Sequence, residues 1–315
     1  MAAMMPATVQ SFVTDRPVEP RILLGIGLRL LAIVALSIMF ACVKLAETRG
    51  VNVIESLFYR QLIAVPLVLA WVAAGPGFGS LRTMRVSAHA SRMVQGLAAM
   101  ALNFWAMTLL PLAEATAIGF TVPIFATLLA ALLLSEPTGW RRWSAVLIGF
   151  AGVLIVVQPG GGTLPTSGIG IAIVGAVLTA AVTITIRRLG ATEAAATTVF
   201  WFTVSSLVPL GFAMLWFGGT HDAVSWAIIG VLGVAGGIGQ LTLTAALRLA
   251  PVSVVMPMDY TGLIWAALLG WLIFAQLPSA ATWIGAPVII GSGLYIAWRE
   301  HRLTRAGISI SVGAK

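Results

Sequence analysis

Long apolar runs, separated by short polar segments, account for most of this chain. Ten such runs occur, at residues 30–46, 51–74, 93–112, 115–135, 143–157, 169–186, 194–217, 226–247, 252–277 and 282–298. A helix needs about 20 mainly apolar residues to cross the ~30 Å hydrocarbon core of a bilayer. Backbone groups in lipid must also be hydrogen bonded within their own segment. The pattern therefore predicts an all-α integral membrane protein with ten transmembrane helices.

The connections between the runs are short and rich in turn residues, such as Gly-Pro-Gly at 75–77 and Gly-Gly at 218–219. None is long enough to form a soluble domain. We therefore divide the chain into two groups of five helices with short flanking parts. The predicted parts are an N-terminal tail (1–29), a first group (30–157), a linker (158–168), a second group (169–298) and a C-terminal tail (299–315).

The composition agrees with a chain that is surrounded by lipid. Hydrophobic residues make up 59% and charged residues only 9%, whereas a soluble domain carries about 25% charged residues. The mean hydropathy is +1.02. A soluble protein with so few charges could not cover its surface with polar groups. The soluble classes are therefore excluded.

The distribution of Lys and Arg predicts the orientation. With the N-terminus inside, fifteen of the 18 basic residues fall on the cytoplasmic side, Lys44 and Arg49 fall outside, and Arg60 lies within a helix. Such an excess is typical of cytoplasmic loops, so both termini are predicted to be cytoplasmic. In this tally Arg29 and Arg92 count as cytoplasmic loop charges. The basic residues form no stripe, so we expect no nucleic-acid partner.

The two halves of the chain resemble each other at a nearly constant offset. In the third and eighth helices Gly96 matches Gly233 and Asn103 matches Gln240, at an offset of 137. After a short insertion the offset becomes 140. The further matches are Phe120 with Tyr260, Thr121 with Thr261, Phe125 with Trp265, Trp143 with Trp283, and residues 65–67 with 208–210.

The repeat has a consequence for topology and function. Five helices is an odd number, so the second copy must be inserted upside down relative to the first. Inverted repeats are the architecture of many secondary transporters, in which the substrate binds near the midplane between the halves. The sequence thus favours a transporter that works by alternating access.

The segment from Leu110 to Val156 resembles a known family. Pro-Leu-Ala-Glu-Ala at 111–115, Pro123 in the following helix and Glu136-Pro137 thirteen residues later look like the signature of the drug/metabolite transporter superfamily, EamA-type branch. FYRQL at 58–62 is similar to the second-helix motif of that family. The resemblance covers about residues 30–298. It implies two five-helix repeats around a central cavity, and exchange without ATP.

The second half departs from the family pattern at three places. Pro123 aligns with Leu263, and Glu136 aligns with Gln276. Asp259 and Tyr260 occupy a stretch that is usually apolar in the family. These departures leave the fold prediction unchanged, but a substrate cannot be copied from a relative.

Two charged residues lie inside the predicted helices. Arg60 is near mid-membrane, where a charge is costly and usually faces the bundle interior or a wet cavity. It is either a clamp for a substrate carboxylate or phosphate or half of a structural ion pair. Asp259 is either a proton carrier or ammonium ligand, or the structural partner of Arg60. Both remain candidates for substrate binding or coupling.

The other candidates are amides and aromatic residues within helices. Asn103 and Gln240 either hydrogen bond the substrate or hold helices together. Aromatic residues far from helix ends suit a cavity for a flat substrate, although most buried aromatic residues serve only bundle packing. The candidates of this kind are Trp105, Phe120, Trp201, Tyr260 and Trp265; Glu114 and Glu136 are interpreted as loop-level charges and the three histidines as loop or tail residues.

Several kinds of chemistry have no motif in the sequence. There is no phosphate loop, no HExxH, no Cys/His cluster and no GxSxG. We therefore expect no cofactor, no metal and no enzymatic activity. The predicted function is secondary transport of a small organic metabolite (an amino acid, a drug-like or a planar aromatic compound) across the bacterial inner membrane, by a monomer or homodimer, with protons as a candidate coupling ion.

Three alternatives stay open at this stage. One is an uptake carrier for riboflavin or a similar vitamin. The second is a membrane-embedded transferase, which would need an acid-rich or metal-binding cluster near a membrane boundary. The third is a non-transporting scaffold, in which the intramembrane polar residues would matter only for stability.

Overall fold

The computed structural model describes residues 22–133, 140–158, 164–190, 192–250 and 255–305, and all regular secondary structure in them is helical. Glu136, linker residues 159–163 and the tails 1–21 and 306–315 lie outside the described residues. The helices are α1 (Ile22–Glu47), α2 (Val53–Ala74), α3 (Val86–Leu109), α4 (Leu112–Gly119), α5 (Val122–Leu133), α6 (Trp140–Val157), α7 (Thr166–Gly190), α8 (Ala195–Phe217), α9 (Ala223–Leu249), α10 (Gly262–Phe274) and α11 (Ala280–Arg305), with 3₁₀ helices at Phe78–Leu81 and Met256–Thr261.

Most of these helices have the length and composition of membrane spans. Seven segments of the described chain qualify: α1, α2, α4 with α5, α7, α8, α9 and the apolar part of α11. The segments Trp143–Val157 and Met258–Phe274 are apolar but shorter. The remaining helix, α3, begins with the polar turns that contain His89 and Arg92.

The sequence prediction placed two helix starts too late. Helix α1 begins at Ile22 and not at residue 30, and α3 begins at Val86 and not at residue 93. The reason is that backbone hydrogen bonds continue along a helix past its most apolar stretch, while the hydropathy pattern marks only that stretch. As a result Arg29 and Arg92 lie inside helices, and both are buried.

Two predicted continuous helices are interrupted in the structure. The fourth predicted run is broken at Phe120 and Thr121, between α4 and α5, and the described part of the ninth begins as the 3₁₀ helix Met256–Thr261. A proline lies near each interruption: Pro123 in the first turn of α5, and Pro257 at the start of the 3₁₀ helix. Proline lacks the N–H group that continues a helix and collides with the preceding turn.

The helices of the two halves pack mainly against each other. Helix α1 packs along α9, and α3 packs along α7; α6 packs along α11, α2 along α8, and α4 against α10. In the repeat, α1 corresponds to α7 and α3 corresponds to α9. The pairs α1–α9 and α3–α7 are therefore equivalent contacts. Pro66 and Pro209, which the repeat matched, lie inside α2 and α8 respectively.

Two buried charges cap helix ends near one surface of the bundle. Lys44 donates hydrogen bonds from Nζ to the carbonyl oxygens of Leu110 (2.6 Å) and Met107 (3.3 Å) at the end of α3. Glu114 Oε1 accepts from the Ser279 amide (2.8 Å) and the Thr282 hydroxyl (3.0 Å) at the start of α11. Glu114 is only 2% exposed, so its interpretation as a loop-level charge is wrong.

We expect Glu114→Ala to lower the free energy of unfolding by about 2–3 kcal/mol, because hydrogen bonds to a buried charged group contribute about 1.5–3 kcal/mol. Denaturation of the detergent-solubilised protein measures the change. The matched control is Glu47→Ala, since Glu47 is exposed at the end of α1 and surface substitutions usually change stability by less than about 0.5 kcal/mol. Equal losses in both variants would contradict the capping role.

Candidate functional site

The two helix interruptions share the same local chemistry. At the first, the hydroxyl of Thr121 donates to the carbonyl oxygen of Ile118 at 2.6 Å. At the second, the hydroxyl of Thr261 donates to the carbonyl oxygen of Met258 at 2.7 Å. Thr121 and Thr261 are the residues that the sequence offset of 140 aligned. One helix of each half is thus interrupted at a corresponding place. At each place a threonine hydroxyl donates a hydrogen bond to the carbonyl oxygen three residues earlier.

Two of the predicted site residues meet at these interruptions. The rings of Phe120 and Tyr260 make an edge-to-face contact, with centroids 5.1 Å apart and planes at 77°. The sequence repeat matched them, and the structure places them in direct contact. The Tyr260 hydroxyl lies against the backbone of Gly293 in α11, where a methyl group would collide with it. Helices α4, α10 and α11 therefore converge here.

Asp259 is beside this aromatic contact and has a cationic partner. Arg29 in α1 donates from Nε to Asp259 Oδ1 at 2.6 Å, and its Nη2 also bonds Oδ2. The Arg29 side chain is 5% exposed and that of Asp259 is 35% exposed. The hypothesis that Asp259 is the structural partner of Arg60 is therefore wrong, because Arg29 occupies that position. The bidentate pair joins α1 of the first half to the 3₁₀ helix Met256–Thr261 of the second.

Arg60 lies apart from Asp259, in a contact between α2 and α9. It is 2% exposed, and its Nη1 donates to Gln61 Oε1 at 2.6 Å. Gly236 makes room for it, since a Cβ atom there would come within 3.0 Å of Arg60 Cγ. Among the described residues no carboxylate forms an ion pair with Arg60, so the structural ion pair that the sequence left open is not seen in this part of the chain.

A second buried arginine, which the sequence reasoning missed, lies near Arg60. Arg92 in α3 is 9% exposed, and its guanidinium lies over the ring of Phe202, 4.3 Å from the centroid. It is close enough to Arg60 for the two positive charges to repel each other. Gly96, one turn along α3, leaves space for its guanidinium, which a Cβ atom would enter. The isolated charge within the first polar turns of α3 was the signal that could have found it.

The two predicted amides differ in their surroundings. Asn103 donates from Nδ2 to the hydroxyl of Thr179 in α7 at 3.0 Å, and its Oδ1 lies close to Gly175 of the same helix. Asn103 thus holds α3 to α7. Gln240 in α9 is half-buried and makes no recorded side-chain hydrogen bond to another described residue. The structure does not bring these two amides together.

The three predicted tryptophans lie in different places. Trp105 is 51% exposed and, by helical spacing, projects from the face of α3 opposite Arg92 and Asn103. Trp201 is partly buried and donates from Nε1 to the carbonyl oxygen of Leu81 at 2.9 Å. Trp265 is partly buried, in the second turn of α10. None of them is in a recorded ring contact with Phe120 or Tyr260.

Two histidine–glutamate pairs join loops of the two halves. Glu55 Oε1, in the first turn of α2, lies 2.9 Å from Nε2 of His221, which precedes α9. Glu193 precedes α8, and its Oε2 atom lies 3.8 Å from Nε2 of His89 in α3. All four side chains are less than 10% exposed. The interpretation of His89 as a loop residue is wrong, because α3 begins before it.

The His221–Glu55 pair borders a polar pocket of about 410 Å³ that is lined by Thr48, Arg49, Thr220, His221, Asp222 and Ser225. Hydrogen bonds from Ser225, and then from Arg49, lower the pKa of Asp222 to about 2. Asp222 therefore stays ionised at physiological pH and does not carry protons there. Arg49 Nη2 and Asp222 Oδ2 are 2.8 Å apart, which links the α1–α2 and α8–α9 loops. In the described chain no three His, Cys, Asp or Glu side chains converge to hold a metal ion.

Comparisons with known proteins identify the architecture. The chain is 28% identical to the riboflavin transporter of Brucella anthropi over 82% of this chain and 93% of that protein. It is 31% identical to the riboflavin transporter of Rhizobium johnstonii over 73% and 76%, and 27% identical to the S-adenosylmethionine uptake transporter of Rickettsia prowazekii over 88% and 94%. A solved crystal structure has the same fold, with a TM-score of 0.58 and 20% identity, over 88% of this chain and 98% of that one.

The family model for EamA-like transporters matches the chain twice, at residues 23–158 and 166–298. Together these matches cover nearly all of the described helices, and the relatives are named as transporters. The resemblance seen in the sequence is therefore confirmed, and the function is that of a small-molecule transporter. The chain is a multi-pass bacterial membrane protein that belongs to the EamA-like transporter family.

Proposed function

We propose that this protein is a secondary transporter that moves a small organic metabolite across the inner membrane by alternating access. The observation that carries the proposal is the contact of Phe120 with Tyr260, each at an interruption of a helix in its own half. Interrupted helices at corresponding positions of two inverted halves are the best indicator of a transporter's binding site. Freed backbone groups at such breaks are tolerated in a membrane where they face protein or a wet cavity.

The proposed topology has ten spans, with both termini cytoplasmic. The fourth span is α4 with α5, and the ninth is the 3₁₀ helix with α10. The loop contacts support this alternation. Arg49 donates to Asp222, and the Ser279 amide donates to Glu114. Both hydrogen bonds join loop regions on the proposed outer side. Arg85 donates to Thr192 at 2.6 Å on the proposed inner side. No recorded loop contact joins an inner to an outer loop among the described residues.

Alternating access requires contacts that close each side in turn. In the proposed topology, His221–Glu55 closes the outer side and His89–Glu193 the inner side. The two pairs correspond to each other in the repeat. His221 precedes α9 and His89 lies near the start of α3, which is the equivalent helix. Glu55 and Glu193 lie near the starts of the equivalent helices α2 and α8. The outer pair is hydrogen bonded at 2.9 Å, whereas the inner pair is 3.8 Å apart. Thr83 also donates to Glu193 Oε1 at 2.8 Å and Arg85 donates to Thr192, so hydrogen bonds join the two halves on the proposed inner side as well.

The proposed substrate has a planar heteroaromatic ring. Relatives are named for riboflavin and for S-adenosylmethionine, and both molecules carry a flat heteroaromatic ring with a polar tail. Phe120 and Tyr260 provide aromatic surface at the helix breaks, and aromatic pairs contribute about 0.5–1.5 kcal/mol beyond the area that they bury. Riboflavin uptake is the alternative within this class, because three similar relatives bear that name.

Asp259 is the proposed coupling group. It is the one acid beside the aromatic contact among the described residues, and its side chain is about one third exposed within the bundle. A carboxylate that alternates between an ion pair with an arginine and a protonated state would link substrate movement to a proton gradient. Uptake measured with and without an imposed proton gradient tests this role.

We expect Tyr260→Leu and Phe120→Leu to reduce substrate uptake at least about tenfold, because each removes one of the paired aromatic surfaces, and tenfold corresponds to about 1.4 kcal/mol. The measurement is uptake of labelled riboflavin, S-adenosylmethionine and aromatic amino acids by proteoliposomes. Trp105→Leu is the matched control, since Trp105 is an exposed aromatic residue on the far side of α3. It should transport like the unmodified protein.

Two outcomes would overturn the proposal. If all three variants transport equally, the helix breaks are not the site. If the unmodified protein moves no compound of a broad panel, the chain acts as a scaffold or as an embedded enzyme, as the sequence left open.

A further inference from the structure

We propose that Arg60 and Arg92 together bind an oxyanion, so that the transported metabolite carries a carboxylate or phosphate group. This inference rests on the proposed function, since it assigns a substrate class to the same transporter. It places the anionic part of the substrate at the contact of α2, α3, α8 and α9. The flat part would lie at the helix breaks.

The first argument is that both cations are buried without a counter-charge. Arg60 is 2% and Arg92 is 9% exposed, and neither forms an ion pair with a carboxylate among the described residues. Arg29 and Arg49, by contrast, each bond an aspartate. Two like charges that repel each other in a poorly solvated interior are strongly unfavourable. A bound anion would neutralise the two charges and remove this repulsion.

The second argument is the number of hydrogen-bond donors that await an acceptor. Arg60 Nε, Arg92 Nε and Nη1, and Gln61 Nε2 are buried and have no acceptor in the described structure. Buried donors of this kind are rare in folded proteins, because each costs its desolvation. Carboxylate and phosphate oxygens are the acceptors that guanidinium groups match best, often in pairs.

The third argument is the position of the two side chains. Arg60 is in the second turn of α2 and Arg92 in the second turn of α3, so each is about 10 Å from its helix start at ~1.5 Å per residue. In the proposed topology these helices start at opposite surfaces, so Arg60 extends from the outer half of the bundle and the Arg92 guanidinium, which lies beside Gly96, extends from the inner half. The neighbouring Phe202 ring attracts a cation but cannot neutralise it.

Glycines preserve the space around both cations. A Cβ atom at Gly96 would collide with the Arg92 guanidinium, and one at Gly236 would come within 3.1 Å of Arg60 Nε. The site is thus built from two arginines, one amide and two glycines on three helices.

The test is the melting temperature of the purified protein in detergent, in sodium phosphate, sodium acetate or sodium chloride of equal ionic strength. We expect phosphate, acetate or both to raise the melting temperature above its value in chloride. In Arg92→Gln the apparent affinity for the stabilising anion should fall more than tenfold. The melting temperature of Arg92→Gln in chloride should equal or exceed that of the unmodified protein, because an unpaired buried charge has been removed.

Arg302→Gln is the matched control, since Arg302 is exposed and its guanidinium lies 5.3 Å from the centroid of the Trp298 ring. This variant should keep the full anion effect. The inference is overturned if neither anion stabilises the unmodified protein, if Arg92→Gln keeps the effect, or if Arg92→Gln melts far lower in chloride. That last result would make Arg92 a structural residue.

Transport separates this inference from the proposed function. Riboflavin and riboflavin 5′-phosphate differ only in an oxyanion, so their uptake by proteoliposomes forms a paired probe. We expect uptake of the phosphate, or of acidic aromatic compounds, to fall more than tenfold in Arg92→Gln relative to a neutral analogue. If the unmodified protein transports both compounds and Arg92→Gln lowers the uptake of both equally, only the oxyanion inference fails. Anion stabilisation through Arg92 without any transport would overturn only the proposed function.

Discussion

Replacing Asp259 by Asn is expected to lower the free energy of unfolding by about 3 kcal/mol and to remove any response of uptake to a proton gradient. Breaking a buried ion pair costs about 3–5 kcal/mol, because the other charge stays behind. The lower end applies here, since the Asp259 side chain is 35% exposed whereas that of Arg29 is 5% exposed. Denaturation in detergent and proteoliposome uptake measure the two effects.

The double variant Arg29→Gln/Asp259→Asn separates structure from coupling. It removes both charges, so most of the lost stability should return while the proton response stays absent. If the double variant regains gradient-driven uptake, Asp259 is only a structural partner of Arg29. If Asp259→Asn alone is as stable as the unmodified protein, the bidentate contact contributes nothing measurable to stability, and the expected loss of about 3 kcal/mol is wrong.

The sequence predicted the helical membrane architecture well because that information is local. An apolar run of sufficient length forms a helix in lipid whatever its neighbours are. The interruptions at Phe120 and in the 3₁₀ helix Met256–Thr261 were not predicted. Each depends on where a proline falls relative to the packing of neighbouring helices, and prolines such as Pro66 and Pro209 lie within helices that continue. The proline alone therefore does not locate a break.

The candidate site was predicted in part, and the reason differs from residue to residue. The offset of 140 matched Phe120 with Tyr260, and the structure brings these two rings into contact. Asp259 was found as a lone acid in an apolar run, but its partner was assigned wrongly. Arg29 and Arg92 were missed because hydropathy underestimates helix ends, so both were counted as loop charges.

Tertiary contacts of long range explain the other missed residues. Glu114 and Ser279 are 165 residues apart in the chain, and no local pattern connects them. The same holds for His221 and Glu55. Charges beside a helix end look alike in sequence whether they face water or cap a neighbouring helix, and only the packing of the two halves decides between these states.

Substituting Gly285 by Ala tests a close approach of the backbones of the two halves. A Cβ atom at Gly285 would lie 2.6 Å from the carbonyl oxygen of Gly152 and 3.1 Å from the backbone nitrogen of Val156 in α6. Both neighbours are backbone atoms, so a rotamer change cannot relieve the contact, and α6 and α11 must move apart. We expect a loss of about 1–3 kcal/mol in the free energy of unfolding, the usual cost of overpacking.

Gly291→Ala is the control on the same helix. Nothing lies within 4 Å of a Cβ atom at Gly291, so the substitution should be neutral or stabilise the protein by up to about 1 kcal/mol, the difference between Ala and Gly in a helix. Denaturation of both variants in the same detergent measures the contrast. Because α6 and α11 correspond to each other in the repeat, each half presents the same helix to the other at this contact, as it does where α4 packs against α10. Equal stabilities of the two variants would show that α6 and α11 can separate slightly without cost, and the expected overpacking at Gly285 would then be wrong.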